Sequence, residues 1–312
     1  VTDPPSFAHQ PVMVEEIVEL FRAAPPGIIV DATVGAGGHA EALLEALPHL
    51  ELLGLDRDVD AVEAASRRLA RFEGRARVSH ARFDRLAEVL DELAVARVSG
   101  VLFDLGVSSP QLDRSERGFS YRSDAPLDMR MDRTQALTAA EVVNSYDERR
   151  LTRLLRDFGD EPRAQRIARA IVRHRPLETT DQLAEVVRNA IPAALRRHGG
   201  HPARRAFQAI RIEVNGELDV LPPALDDAAD RIAPGGILAV LSYHSGEHRL
   251  VKERFRHFVT GGCTCPPRLP CVCGARPRAR ELRRGKRSPN ASEIAANSRA
   301  ESAQLRALEL LP

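Results

Sequence analysis

Gly27-Ile28-Ile29-Val30-Asp31-Ala32-Thr33-Val34-Gly35-Ala36-Gly37-Gly38-His39 is the stretch that decides the fold. A short apolar run ends on an acid and passes straight into a glycine-rich turn. Glycine lets the backbone turn tightly and approach a ligand closely, and the N-terminus of a following helix aims N–H groups into the same space. The helix continues through Glu41 to Leu47. Leu52-Leu53-Gly54-Leu55-Asp56 is a second apolar run that ends on an acid, 21 residues after Gly35. A carboxylate at that place can accept hydrogen bonds from both hydroxyls of a ribose.

The same rhythm extends outward. Val59 to Leu69 reads as a helix, Arg77 to His80 as a weaker strand, and Gly100-Val101-Leu102-Phe103-Asp104 as a strand that again ends on an acid. Such alternation predicts βαβ units and a parallel sheet covered by helices. From about Asp113 to Glu213 no convincing strand occurs. Thr138-Ala139-Ala140-Glu141 has capping-box spacing, Asp147 to Phe158 is helical and Gly159 ends it, and Asp160 opens another helix with Pro162 in its first turn. Ala164, Ile167, Ala168 and Ile171 form that helix's apolar face, and Thr179-Thr180-Asp181 caps a further helix ending near Ile191. The α/β pattern then resumes. Leu218 to Ile232 is a helix with Pro222-Pro223 near its start, Pro234-Gly235-Gly236 is a turn, and Ile237 to Leu241 is a buried parallel strand. For Ala303 to Leu308, periodicity leaves both an edge strand and a short helix open.

The expectation is therefore an α/β protein with a Rossmann-like core and parallel sheet. The core is discontinuous, residues 1–112 and 214–312, and an all-helical domain is inserted at residues 113–213. With 312 residues the chain can bury a sizeable core. No apolar run reaches the roughly 18 residues that span a bilayer. Val1 to Gln10 lacks the basic and apolar regions of a secretory signal, and the four cysteines share one short segment, so a cytoplasmic protein is expected. Net charge is only +1, and among the 45 basic residues only Lys252 and Lys286 are lysines. Arginine forks suit phosphates and base edges, although a compositional bias of the genome explains the excess equally well.

By itself the glycine turn is ambiguous, because Gly35-x-Gly37-x-x-Ala40 satisfies a relaxed dinucleotide fingerprint. Asp31 and Asp104 tip the balance. Acids at the ends of the first and fourth strands repel a pyrophosphate but suit a cationic methionyl sulfonium. S-adenosylmethionine is the expected cofactor.

Asp104-Leu105-Gly106-Val107-Ser108-Ser109-Pro110-Gln111-Leu112-Asp113, then Glu116-Arg117-Gly118-Phe119-Ser120 and Pro126-Leu127-Asp128-Met129-Arg130-Met131-Asp132, resemble the signature of the RsmH (MraW) family of 16S rRNA cytosine-N4 methyltransferases. His9-Gln10-Pro11-Val12, His201-Pro202-Ala203 leading into Phe207 to Ile212, and Ser242-Tyr243-His244-Ser245 agree, in order and over nearly the whole chain. The resemblance implies a class I methyltransferase core with an inserted helical substrate domain. It implies methylation of N4 of one cytidine in the decoding centre of small-subunit rRNA, with the 30S subunit as partner. The cofactor positions it implies are Gly38, His39 and Ala40 in the turn, then Asp56, Phe83, Asp104 and Gln111, and Gly37 of the same turn is a further cofactor-binding candidate. The family often has Phe where Tyr243 stands, and Leu-Glu-Asp where this chain has Gly246-Glu247-His248.

Asp104, Ser109 and Tyr243 are the candidate catalytic residues. Asp104 can accept a hydrogen bond from the cytosine amine or from the methionyl ammonium. Tyr243 and Tyr121 are candidate platforms for a base taken out of its stack. His244 reads as a proton acceptor or as a hydrogen-bonded structural histidine. Arg204, Gln208, Arg211 and Asn215 share one helical face, with Phe207, Ile210 and Val214 opposite. Together with Arg196, Arg197, Arg205 and the basic run from Arg268 to Arg287, that face is expected to meet phosphates. Cys263-x-Cys265 and Cys271-x-Cys273 flank five residues. Four thiolates could hold zinc, but C-x-x-C is the more usual spacing. Free, reduced thiols and no bound metal are expected. The rival readings are a methyltransferase of another RNA or of DNA, and a non-catalytic RNA-binding factor that senses the cofactor.

Overall fold

The computed structural model describes residues 11–72, 74–108, 111, 114–193, 201–266, 271–282 and 285–312. The chain divides into two compact units, Val1–Ser108 with Leu218–Pro312, and Ser109–Glu217.

The discontinuous unit is built on a seven-stranded sheet. Its strands are β1 (Gly27–Asp31), β2 (Leu50–Asp56), β3 (Ala76–His80), β4 (Val98–Asp104), β5 (Ile232–Ser242), β6 (Ala279–Glu281) and β7 (Gln304–Leu310), ordered β3-β2-β1-β4-β5-β7-β6. The first five run parallel, and β7 is antiparallel to both β5 and β6. Alternate residues face opposite sides. Val30, Leu53, Leu55, Val101, Phe103, Leu238 and Val240 enter one apolar cluster. Ile29, Leu52, Leu102, Ile237, Ala239 and Leu241 enter another. The first is covered by α4 (Leu86–Glu92), α10 (Leu221–Arg231) and α11 (Ser245–Thr260), the second by α1 (Val14–Phe21), α2 (Gly38–Ala46) and α3 (Val59–Leu69). This three-layer arrangement is what near-continuous apolar strands require. Gly100 marks the closest approach, since a Cβ there would lie 2.7 Å from the Phe21 ring and 2.6 Å from the Ile237 carbonyl oxygen.

The segment left open between strand and helix is β7, a strand. It is not an edge, because β6 pairs with its outer side. β6 reads Ala-Arg-Glu and carries no apolar signal, so nothing in its composition announces a strand.

Among the described residues the other unit carries helices α5 (Ala139–Ser145), α6 (Glu148–Asp157), α7 (Ala164–Arg173), α8 (Thr180–Ala190) and α9 (Arg204–Asn215). Thr138, Asp147 and Thr179 cap three of them through side-chain oxygens, the last in a full capping box with Gln182. The motif from Glu116 to Asp132 acts here as scaffold. The buried Arg117 guanidinium donates to the carbonyls of Arg130 and Met131, each at 3.0 Å. Gly118 has φ 71°, and a Cβ on it would fall 2.3 Å from the Pro126 carbonyl oxygen. Asn215 accepts from the Met131 N–H at 2.9 Å and donates to the Met129 carbonyl at 2.8 Å.

Candidate cofactor site and active site

β1, β2 and β4 are parallel neighbours, and each ends on an aspartate: Asp31, Asp56 and Asp104. Chain connections leave β1 toward opposite sides of the sheet, β2 on one and β4 on the other. The carboxyl ends at such a reversal of strand order form a crevice where α/β folds bind ligands.

The glycine turn closes this crevice from β1. Gly35 and Gly37 have φ 53° and 82°, and Gly37 donates to the Val34 carbonyl at 2.8 Å. The Gly35 N–H donates to Asp56 Oδ2 at 2.9 Å, and Asp56 Oδ1 accepts from the Asp58 N–H at 2.9 Å. Asp56 thus ties the second strand to the turn. Each of its oxygens keeps a lone pair for another donor. At Gly38 a Cβ would lie 2.3 Å from Pro11 Cγ, so the turn is packed as well as bent.

Asp104 is held from three directions. Its N–H donates to Thr33 Oγ1 at 2.6 Å, its Oδ1 accepts from the Tyr243 hydroxyl at 2.6 Å, and its Oδ2 lies 3.5 Å from His39 Nδ1. His39 is buried, with Nε2 2.8 Å from the Val12 carbonyl. A carbonyl only accepts, so the proton on that side sits on Nε2. Burial, followed by the charge of Asp104, pushes the Tyr243 hydroxyl well above the usual phenol range and keeps it a donor. The contact of Thr33 with Asp104 and the place of His39 beside that carboxylate are additions to the sequence expectations. Thr33 lies two residues past the strand end, a place where a short hydroxyl side chain can reach the neighbouring strand.

Asp31 is completely buried, and its Oδ1 accepts from the Thr33 N–H at 3.2 Å. Burial pushes its carboxyl up to about 8, and the charges of Asp104 and Asp56 add to the rise. Burial also lifts Asp56 to about 6. The crevice therefore gathers three acids, two of them with titration raised by burial, and that donor set fits a positively charged ligand.

The other expected positions fall as follows. Phe83 is half-buried, with its ring edge-on to Phe103 at 5.7 Å. Ala40 is fully buried in the core. Gln111 is buried in the inserted unit. Ser109 lies outside the described residues, as do Arg196 and Arg197. His244 caps α11, its Nδ1 accepting from the Glu247 N–H at 3.4 Å, and its Nε2 lies 3.1 Å from Glu247 Oε1. Tyr121 stacks on His201, with centroids 4.3 Å apart and 12° between planes.

The basic helical face needs correction. Arg211 makes a two-pronged ion pair with Glu217, both contacts at 2.8 Å, Asn215 is buried within the unit, and Gln208 donates to the Phe158 carbonyl at 3.1 Å. Only Arg204 of the four, with its neighbour Arg205, is exposed. In the C-terminal basic run Arg278 pairs with Asp230 and Arg280 with Glu309. Among the described residues, Cys263 Sγ lies 3.5 Å from Cys271 Sγ, and Cys271 Sγ lies 3.4 Å from Cys273 Sγ. No helix among the described residues is long and apolar enough to cross a membrane.

The profile of the MraW methylase family matches residues 6–311. A relative from Thermobifida fusca, named ribosomal RNA small subunit methyltransferase H, is 54% identical over 312 residues, covering 98% of this chain and 94% of its own. A relative of the same name from Symbiobacterium thermophilum is 49% identical, covering 97% and 96%. A solved rRNA methylase from Streptococcus thermophilus superposes with a TM-score of 0.43 at 12% identity, over 96% of this chain and 95% of that one.

Proposed function

Because the chain belongs to the MraW methylase family, we propose that it methylates the exocyclic N4 amine of one cytidine in the decoding centre of 16S rRNA, within the small ribosomal subunit. S-adenosylmethionine is the cofactor, and when bound it supplies an electrophilic methyl group on a sulfonium. The rRNA substrate is supported by the names of relatives at about half identity, 54% and 49%. The choice of N4 and of the decoding centre rests on the motif running from Asp104 to Asp132. The reaction belongs in the cytoplasm, where ribosomal subunits assemble.

The observation that carries the reading is the fixed Asp104 carboxylate at the end of β4, beside two further acids. Asp56 accepts from ribose hydroxyls through its remaining lone pairs, and the Gly35 to His39 turn lets the ligand approach the backbone. Asp31 and Asp104 offset the positive charge of the methionyl end. The amine of cytosine is a weak nucleophile, because its lone pair is delocalised into the ring. The protein's task is to aim that lone pair and to accept hydrogen bonds from its N–H groups. Asp104 accepts from the amine, with Tyr243 fixing the carboxylate against rotation, and Ser109 lies five residues on in the same motif. The methylated amine cation is acidic and loses its proton to water, so the chain needs no strong base.

The test uses purified protein, labelled S-adenosylmethionine and small subunits from cells lacking the enzyme, with Asp104→Ala as control. Label recovered as N4-methylcytidine, and lost with the variant, is the expected result. Cofactor binding without label in rRNA would reject the substrate and favour a binding factor.

A further inference from the structure

Between α11 and β6 the chain makes a closed excursion that the methyl-transfer reading does not use. Gly261, with φ 62°, ends α11 and Gly262 follows with φ 74°. The excursion returns to its starting point: a Cβ on Gly261 would lie 2.2 Å from the Arg276 carbonyl oxygen, and the Arg278 N–H donates to the Phe258 carbonyl at 2.8 Å. All four cysteines of the protein lie inside it. Their Sγ atoms lie within 4.8 Å of one another, and Cys263 is 3.5 and 3.6 Å from Cys271 and Cys273. None is in a disulfide.

Apolar burial does not gather these thiols. Cys271 to Gly274 are exposed, and Val272 between the last two is 88% exposed. Four sulfurs converging on one point at the surface require another source of cohesion. A tetrahedral ion bound at about 2.3 Å to each sulfur sets the sulfurs about 3.8 Å apart, close to the spacing found. The C-x-C spacing also has a physical reading. In extended chain, residues i and i+2 point to the same side. Each Cys pair then offers both sulfurs to one centre, while Gly262 and Gly274, at φ 74° each, turn the chain at either end.

From this geometry we infer that Cys263, Cys265, Cys271 and Cys273 bind a single structural zinc ion, against the expectation of free thiols. Four thiolates in a closed site suit a tetrahedral ion without redox chemistry. A binuclear iron–sulfur cluster would hold the two pairs farther apart. The ion replaces the missing apolar core of the excursion, so its binding free energy becomes local folding free energy. Four thiols lose their protons on binding, and no electron is transferred.

The test begins with full-length protein purified under reducing conditions, without chelator, from zinc-replete cells. Elemental analysis is expected to find about one zinc per chain, and the Cys271→Ser/Cys273→Ser double variant is expected to hold almost none. Should that variant fold poorly, the unmodified protein decides. Exchange with cobalt(II) should produce the visible absorption of tetrahedral thiolate cobalt with sulfur-to-metal charge transfer, and chelation should open residues 261–276 to limited proteolysis. Four titratable thiols with no metal, and no uptake of added zinc, would overturn the inference. So would stoichiometric iron, or disulfides in protein kept under reductant.

Discussion

Burial moves the titration of Asp31 to about 8, above neutrality. Without ligand the residue is largely protonated at neutral pH. A cation bound beside it favours the carboxylate, so cofactor binding should expel a proton below about pH 8 and none above it. Calorimetric titrations in buffers of different ionisation enthalpy should show this release, and affinity should rise with pH up to that value. Asp31→Asn should abolish the release and flatten the profile. Stability runs the other way. Between 3.8 and about 8 the folded chain holds a proton that the unfolded chain has lost, so stability falls with rising pH, by at most about 1.4 kcal/mol per pH unit for one proton. Asp56, raised to about 6, adds the same sign over a narrower window. Tyr243 makes a separate test. Its hydroxyl donates to Asp104, and losing a hydrogen bond to a charged group costs about 1.5 kcal/mol at the low end of the usual range, roughly tenfold in rate. Tyr243→Phe should therefore slow transfer about tenfold with cofactor affinity kept, and Tyr243→Ala should cost more by removing the ring from beside Gly106. A Phe variant with no activity would mean that the hydroxyl moves a proton. Acids at the strand ends were legible in the sequence. Their protonation was not, because it depends on what surrounds them.

Elements show where sequence reasoning succeeds and where it stops. β1, β2, β4 and β5 announce themselves as apolar runs because both faces of the sheet are covered. β6 is held by its pairing with β7 and by the single buried side chain of Ala279, and neither leaves a strand signal in three residues reading Ala-Arg-Glu. α9 is the sharper case. Its spacing sorts Arg204, Gln208, Arg211 and Asn215 onto one face, but polar side chains do not reveal whether that face meets water or the carbonyls of a neighbouring loop. The Met129 to Met131 segment takes Asn215, and Glu217 takes Arg211. The two arginine classes should therefore separate by experiment. Arg204→Ala and Arg205→Ala should weaken binding of small-subunit rRNA and each lower the slope of log affinity against log salt by about 1, with melting temperature kept. Arg211→Ala should lower melting temperature by orphaning the half-buried Glu217 carboxylate, and leave the salt slope unchanged. Equal salt slopes in all three variants would remove α9 from the RNA-binding surface. At Gly118, where φ is 71° and the Pro126 carbonyl blocks a side chain, Ala should cost about 1–3 kcal/mol of stability in urea titrations.

Across the whole molecule, the discontinuous unit and the segment between β4 and β5 are each compact. The two apolar clusters on the faces of the sheet are built from residues before Ser109 and after Glu217, and Val142, Leu151, Ile167, Leu183 and Ile210 are buried residues of the other unit. That organisation was visible in the sequence as a break in the strand–helix rhythm, because a parallel sheet writes its alternation into the chain and an all-helical segment does not. It has a thermodynamic consequence. A ligand stabilises the unit that binds it by an amount set by its concentration over its dissociation constant, about 2.7 kcal/mol at a hundredfold excess. Asp31, Asp56 and Asp104 all belong to the discontinuous unit of about 200 residues, for which that energy corresponds to a rise of roughly 5–10 °C. Scanning calorimetry should accordingly resolve two transitions, of which S-adenosylmethionine moves one by that amount. Limited proteolysis at the intermediate temperature should then cut within residues 109–217 and spare the sheet. A single transition that shifts as a whole would instead mean that the units unfold together, and that cofactor binding stabilises the inserted helices as strongly as the sheet.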